Sequence, residues 1–138
     1  MHLVVDANVL FSALLKDGLT RKLIYDDRLS LYSPEYLLVE LRKYYQELQS
    51  KSGLGEEEFK KSLARILSKI TLVPDNDLAI YLAPARTLIQ DEKDLLYLAC
   101  ALSIGADLWS HDPHLKQKRV KCWSTKEVGV ELGFLQKT

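Results

Sequence analysis

The chain has 138 residues, 47% of them hydrophobic and 28% charged, which is the composition of an ordinary globular protein. Basic and acidic residues number 19 each, so the net charge gives no indication of a nucleic-acid or membrane partner. The longest uninterrupted apolar run, Leu95–Leu102, is far shorter than the roughly 20 residues that a membrane-spanning helix needs. We therefore expect residues 1–138 to form a single domain with no membrane partner.

The first half of the chain predicts two strands and four helices. In chain order these are a buried strand at 2–6, helices at 9–15 and 19–27, a strand at 29–33, and helices at 35–50 and 56–70. Ser33 and Pro34 are the types of residue that cap a helix and open its first turn, so they predict the start of the helix at 35–50. The apolar face of the 56–70 helix could cover the core of its own domain or bind a second chain.

The second half predicts three further strands and three further helices. They are a strand at 71–74, a helix capped by Asn76 or Asp77, an apolar helix at 95–104, strands at 106–110 and 119–123, and a last helix capped by Ser124. Gly105 follows the apolar helix and is a suitable residue for its C-cap. Strands that alternate with helices predict an α/β fold, with three layers and a central, mainly parallel sheet of four to five strands.

The cysteines and the amino-terminal segment indicate a cytoplasmic protein. Cys100 and Cys122 lie in apolar runs, so we expect buried thiols in a reducing compartment. Asp6 interrupts the apolar start, and no basic segment precedes it, so we expect no signal peptide.

Four acidic residues fall where such a sheet would bring them together. Asp6 and Asp112 follow predicted strands, whereas Asp94 and Glu40 lie near the starts of helices. In a parallel sheet, strand carboxyl ends and the following helix starts share one edge, where ligands bind. Each acid also has an ordinary structural explanation: Asp94 as a helix-start charge, Asp112 as a turn residue and Glu40 as a surface partner of Lys43. Asp6 is the hardest to explain in this way, because a buried strand end disfavours an idle charge.

Clustered carboxylates predict a divalent cation. Two unit charges about 4 Å apart repel by about 4 kcal/mol at an effective dielectric near 20, unless a cation or proton compensates. Oxygen ligands suit Mg²⁺ or Mn²⁺, and no neighbouring set of cysteines and histidines in the sequence favours zinc. Because protein-bound Mg²⁺ commonly meets substrate phosphate, phosphodiester hydrolysis is the natural chemistry.

With these residues identified, the sequence resembles the PIN-domain family of metal-dependent nucleases over essentially its whole length. The resemblance rests on four segments in order, which are VVDANVL, SPEYLLVEL, DEKDLLYLACAL and LWSHDPHL. It implies Asp6, Glu40, Asp94 and Asp112 as catalytic and metal-binding residues, with Ser110 as a supporting hydroxyl.

The resemblance also implies a function and its partners. It implies endonucleolytic cleavage of RNA with Mg²⁺ or Mn²⁺ at the acids. Many small members are toxins of VapC-type toxin–antitoxin pairs, so an antitoxin protein and a homodimer are expected partners.

Two positions depart from the family pattern. Ala7 stands where many members have Thr or Ser, and Asn8 could replace the missing hydroxyl. His114 stands where many have another acid, and Asp91, about one helical turn before Asp94, could compensate as a metal ligand.

Weaker candidates could contact the substrate. Arg21, Arg42 and Lys43 could contact phosphate, and His111 and His114 could contact phosphate or bind metal. For all five, a solvent-exposed side chain without a functional role is the alternative.

Two other functions stay open at this level. Ala7 and His114 are compatible with a catalytically degenerate domain that binds RNA or a protein without cleavage. A phosphoacceptor receiver domain is disfavoured, because it needs an acid pair at the first strand and Val4 and Val5 precede Asp6.

Overall fold

The computed structural model describes residues 1–137. The strands are β1 (His2–Val5), β2 (Ser30–Pro34), β3 (Ile70–Val73), β4 (Asp107–Trp109) and β5 (Cys122–Trp123). The helices are α1 (Ala7–Leu15), α2 (Leu19–Ile24), α3 (Tyr36–Ser52), α4 (Glu56–Leu67), α5 (Ala79–Arg86), α6 (Glu92–Ile104) and α7 (Thr125–Glu131). Short 3₁₀ helices at Asp75–Leu78 and Pro113–Leu115 complete the pattern.

All five strands are parallel, in the order β3-β2-β1-β4-β5. This arrangement confirms the predicted α/β fold. β1 lies at the centre, and Leu3, Val4 and Val5 are fully buried because the sheet is covered on both faces. The strand order reverses between β1 and β4, which makes the carboxyl ends of these two strands the switch point where ligands bind in such sheets.

Helices flank the sheet in two layers. α1 packs against α2, α3 and α4, whereas α5 packs against α6, and α6 contacts β1, β2 and β4. Right-handed crossovers run in one direction across the sheet from β1 to β3 and in the other direction from β3 back to β4. The group of α1 to α4 and the pair α5 and α6 therefore lie on opposite faces of the sheet. The start of α6 therefore reaches the switch point from the opposite side to α1 and α3.

The strands extend further than predicted on one side of the sheet. Pro34 pairs with Val73, and the buried hydroxyl of Ser33 donates to the carbonyl oxygen of Val5 at 3.0 Å. The predicted helix cap at Ser33 and Pro34 is therefore wrong, because both residues belong to β2. Ile70, predicted in a helix, instead pairs with Leu31 as the first residue of β3.

Predictions of helix ends were correct in some places and wrong in others. Gly105 ends α6 with φ of 66°, and Ser124 forms a capping box at α7, as predicted. The predicted caps Asn76 and Asp77 are wrong, since both lie inside the first 3₁₀ helix. α2 ends at Ile24, three residues earlier than predicted.

The apolar face of α4 covers the core of the same chain, because Phe59 and Ile66 are fully buried. Exposed large apolar side chains lie elsewhere, with Ile80 of α5 at 77% exposure and Val39 of α3 at 55%. Across residues 1–137, no helix combines the length and the apolar character needed to cross a bilayer.

Candidate functional site

Asp6 follows β1 and has both a structural and an electrostatic role. Its Oδ1 accepts the backbone N–H of Val9 at 3.1 Å, which caps α1, and its Oδ2 accepts the hydroxyl of Ser110. The side chain is only 4% exposed. Burial raises the pKa of Asp6, and the hydrogen bonds from Ser110 and Val9 act against that increase. The predicted strand-end acid is thus held in a fixed orientation from two sides.

Ser110 connects the two strands of the switch point. While its hydroxyl donates to Asp6, its oxygen accepts the backbone N–H of Asp112 at 2.9 Å. Asp112 in turn caps the 3₁₀ helix, since its Oδ1 accepts the N–H of His114 at 2.9 Å. Asp112 is therefore a turn residue, one of its predicted alternatives, and it also faces the site.

Asp94 is the most perturbed carboxyl group of the site. It lies in the first turn of α6, is 9% exposed, and its buried Oδ2 has no hydrogen-bond partner among residues 1–137. Burial, followed by the charges of Asp112, Asp91 and Asp6, raises its pKa to about 7. The increase shows that these acids are close enough to interact, although they come from three separate segments.

Glu40 reaches the site from α3, on the other layer. Its Oε1 accepts the hydroxyl of Tyr97 at 2.6 Å. Tyr97 is buried and lies three residues after Asp94, so both side chains project from the same face of α6. Burial and then the hydrogen bond to Glu40 raise the pKa of Tyr97, which keeps its hydroxyl protonated as a donor. Sequence reasoning missed Tyr97, although its spacing from Asp94 could have revealed it.

All the candidate acids except Asp6 line a pocket of about 380 Å³. Its wall includes most of the predicted site, namely Asn8, Glu40, Asp91, Asp94 and Asp112, together with Lys51, Lys93 and Tyr44. Among residues 1–137, none of these acids is paired with Lys or Arg. The topology thus brings acids from three segments to one pocket and, within residues 1–137, leaves them without a lysine or arginine partner.

The five weaker candidates separate into one that lies beside the acids and four that do not contact them. Arg21 donates to the carbonyl oxygens of Ala13 and Leu14, which ties α2 to the end of α1. Lys43 lies over the Tyr44 ring at 5.3 Å, and Arg42 is exposed. His111 hydrogen-bonds with Thr125 at 2.7 Å.

His114, in contrast, lies against the acids. Its Nδ1 is 3.4 Å from Asp112 Oδ1 and 3.5 Å from Asp91 Oδ2. Asp91, the N-cap of α6, also accepts the N–H of Lys93 at 3.0 Å. Donor atoms of Asp91, Asp94 and His114 all lie within 4.8 Å of one another. The sequence had given His114 as a weak candidate for contacting phosphate or binding metal, and its imidazole lies beside two of the acids.

The residues present fit a divalent cation. The carboxylates supply the oxygen ligands that Mg²⁺ and Mn²⁺ prefer. A cation would also compensate the crowded negative charge and give the buried Asp94 Oδ2 the partner that it lacks. Asp91, Asp94 and His114 are the side chains whose donor atoms lie near enough to share such an ion, and Glu40 and Asp112 line the same pocket.

Comparison with known proteins agrees with this architecture. A family model described as a PIN domain matches residues 4–133. VapBC2 from Rickettsia felis, solved bound to a DNA fragment from its promoter, is similar with a TM-score of 0.69 and 18% identity over 90% of this chain and 98% of that chain. PAE2754 from Pyrobaculum aerophilum has a TM-score of 0.67 and 16% identity, covering 98% and 91%. A toxin–antitoxin complex from Klebsiella pneumoniae has a TM-score of 0.56 and 16% identity, covering 80% and 86%. No curated protein matches the sequence significantly.

Proposed function

Because the chain belongs to the PIN-domain family, we propose that it is a divalent-metal-dependent endoribonuclease that hydrolyses RNA phosphodiester bonds. The observation that carries the proposal is the carboxylate of Asp94, which is buried among other acids and has an oxygen without a partner within residues 1–137. An uncompensated group of this kind destabilises a protein, so its presence favours a ligand that neutralises it.

The side chains around the acids have separate tasks in this proposal. Mg²⁺ or Mn²⁺ held by the acids would activate water and stabilise negative charge on the phosphate. Ser110 fixes the carboxylate of Asp6, and Tyr97 fixes that of Glu40, so neither acid needs to reorient when substrate binds. Lys93 and Lys51 add positive charge to the pocket wall, where the RNA backbone would lie.

The test is RNA cleavage with and without a chelator, in the wild type and in Asp6→Asn and Asp94→Asn. We expect each substitution to lower the rate at least about tenfold, as loss of a ligand or of a charge-stabilising group does. Asparagine is also a good N-cap, so Asp6→Asn preserves the start of α1. The exposed Asp77→Asn is the matched control and should cleave as the wild type does.

Cleavage that survives both substitutions and the chelator would reject the proposal. The alternative is binding of RNA or a protein without cleavage, and one feature favours it. Ala7 is buried beside Asp6 and offers no hydroxyl to the site. RNA binding without cleavage, and without binding of Mg²⁺ or Mn²⁺, would support this alternative.

We further propose that the protein is a toxin of the VapC type, active in the cytoplasm and inhibited by an antitoxin protein. Support comes from the structural neighbours, which include VapBC2 and a second toxin–antitoxin complex. Expression should arrest growth, Asp94→Asn should abolish the arrest, and the product of an adjacent reading frame should suppress it. A homodimer is also expected, and analytical ultracentrifugation would detect it.

A further inference from the structure

We propose that His114 is a nitrogen ligand of the metal site, so that the pocket selects a first-row transition-metal dication such as Mn²⁺ over Mg²⁺. This inference rests on the proposed function, because it assumes the ion which that function requires. Many family members have an acid where this chain has His114. The inference assigns the class of metal from this replacement of an oxygen ligand by a nitrogen ligand.

The first argument is the position of the backbone that carries the imidazole. His114 lies in the 3₁₀ helix Pro113–Leu115, where Asp112 accepts its backbone N–H at 2.9 Å. Leu115 is fully buried and anchors the next position of the same turn. The backbone that carries the histidine is thus held at its own N–H and at the residue that follows, and the imidazole, although 68% exposed, lies beside Asp91 and Asp112.

The second argument is the distance between donor atoms. Donor atoms of Asp91, Asp94 and His114 lie within 4.8 Å of one another. Ligands about 2.1 Å from a shared ion can be at most about 4.2 Å apart, so small side-chain rotations complete the set. Asp112, whose Oδ1 is 3.4 Å from the same imidazole, can supply a further oxygen.

The third argument is independent of this clustering. Asp94 is only 9% exposed and lines the pocket. Its Oδ2 has no hydrogen-bond partner within residues 1–137. A buried acceptor without a partner is costly, and an ion between Asp94 and His114 would satisfy it.

The chemistry of the donor set then determines the metal. Mg²⁺ prefers oxygen ligands and retains much of its hydration, whereas imidazole is a better ligand for first-row transition-metal dications, among which Mn²⁺ binds most weakly. One imidazole with two or three carboxylates is therefore a mixed nitrogen and oxygen site. The rival explanation is that protonated His114 acts as a counter-ion to Asp91 and Asp112 and leaves a metal no nitrogen ligand.

Pulsed electron paramagnetic resonance of the full chain loaded with Mn²⁺ distinguishes these explanations without measuring activity. We expect coupling from one directly bound ¹⁴N nucleus in the wild type and its loss in His114→Asp, which keeps the number of possible ligands. His111→Asn is the matched control and should retain the coupling, because His111 contacts Thr125 instead of the acids.

Calorimetry adds an independent measure of selectivity. The ratio of Mn²⁺ to Mg²⁺ affinity should fall about tenfold in His114→Asp and stay unchanged in His111→Asn. Bound Mn²⁺ without nitrogen coupling, an unchanged affinity ratio, or no Mn²⁺ binding would each overturn the inference. RNA cleavage, measured separately, identifies which hypothesis fails. Cleavage without nitrogen coupling rejects the role of His114 alone, and nitrogen coupling without cleavage rejects the nuclease proposal alone.

Discussion

The hydroxyl of Ser110 donates a hydrogen bond to the carboxylate of Asp6, which lies 104 residues earlier in the chain. The same oxygen accepts the backbone N–H of Asp112. One small side chain thus holds acids from two neighbouring strands in register with each other.

Ser110→Ala should therefore lower the affinity of the site for a divalent ion more than it lowers the stability of the fold. Without the hydroxyl, Asp6 loses an oriented donor, and we expect divalent-ion affinity to fall by about tenfold, as loss of a group that orients a ligand commonly causes. Isothermal titration calorimetry with Mn²⁺ measures this effect. Ser33→Ala is the matched control, because Ser33 is also buried and donates to a β1 backbone oxygen without contacting an acid. Equal losses in the two variants would contradict a specific role for Ser110.

Tyr97→Phe should lower RNA cleavage without unfolding the protein. The substitution removes the hydroxyl that donates to Glu40 at 2.6 Å and keeps the buried ring. A hydrogen bond to a charged group contributes about 1.5 to 3 kcal/mol, so we expect a rate reduction of about tenfold or more. Cleavage rates of the variant, of Glu40→Gln and of the double variant form a thermodynamic cycle. Additive effects would show that the hydroxyl does not act through Glu40, and Tyr32→Phe serves as the control.

The metal-free protein should lose stability as the pH rises from about 4 to about 7. Asp94 ionises near pH 4 in the unfolded chain but has a pKa of about 7 when folded, so the folded state binds the additional proton in this interval. At pH 8, well above this pKa, Asp94 is mostly ionised and the buried charge is present. Asp94→Asn removes it and should raise the free energy of unfolding at pH 8 by roughly 2 to 4 kcal/mol.

Urea unfolding with chelator at pH 5 and pH 8 provides the measurement for this prediction. Between pH 5 and pH 8 the free energy of unfolding should change more for the wild type than for Asp94→Asn. The exposed Asp77→Asn should show the same change as the wild type. Addition of Mn²⁺ should restore the stability of the wild type at pH 8. An Asp94→Asn variant that is less stable than the wild type at pH 8 in chelator would contradict the assigned cause.

Thr125→Val should destabilise the fold and leave the metal site intact. The Thr125 hydroxyl oxygen accepts the indole N–H of the fully buried Trp109 at 3.0 Å. Its removal leaves that N–H buried without a partner, which costs about 1 to 3 kcal/mol. Urea unfolding measures the cost, and Mn²⁺ affinity should remain that of the wild type. Thr71→Val, at an exposed position of β3, should change stability by less than about 0.5 kcal/mol.

Sequence reasoning was successful where chain direction alone determines position. Asp6 and Asp112 had been expected to follow strands of one parallel sheet, and β1 and β4 pair directly, with Val5 opposite Trp109. Asp94 had been expected at a helix start on the same edge, and it lies there in the first turn of α6. Parallel pairing and right-handed crossovers are general rules, so these placements required no knowledge of side-chain packing.

Details that depend on a partner segment could not be obtained in this way. Pro34 resembles a helix-opening residue in the sequence, but pairing with β3 extends β2 through it. The contact between Tyr97 and Glu40 joins helices from opposite layers, and no local pattern specifies which side chains meet there. His114 had been named as a possible metal or phosphate contact, but nothing in the sequence specifies that its imidazole lies between Asp91 and Asp112.

The pairing of β1 with β4 also has a consequence for synthesis. Asp6 leaves the ribosome 104 residues before Ser110, to which it must bind, and before the adjacent Asp112. Until β4 docks, a nascent chain therefore carries separated acids and no assembled pocket. Any activity of the pocket would therefore begin only when the sheet closes, after β4 has been made.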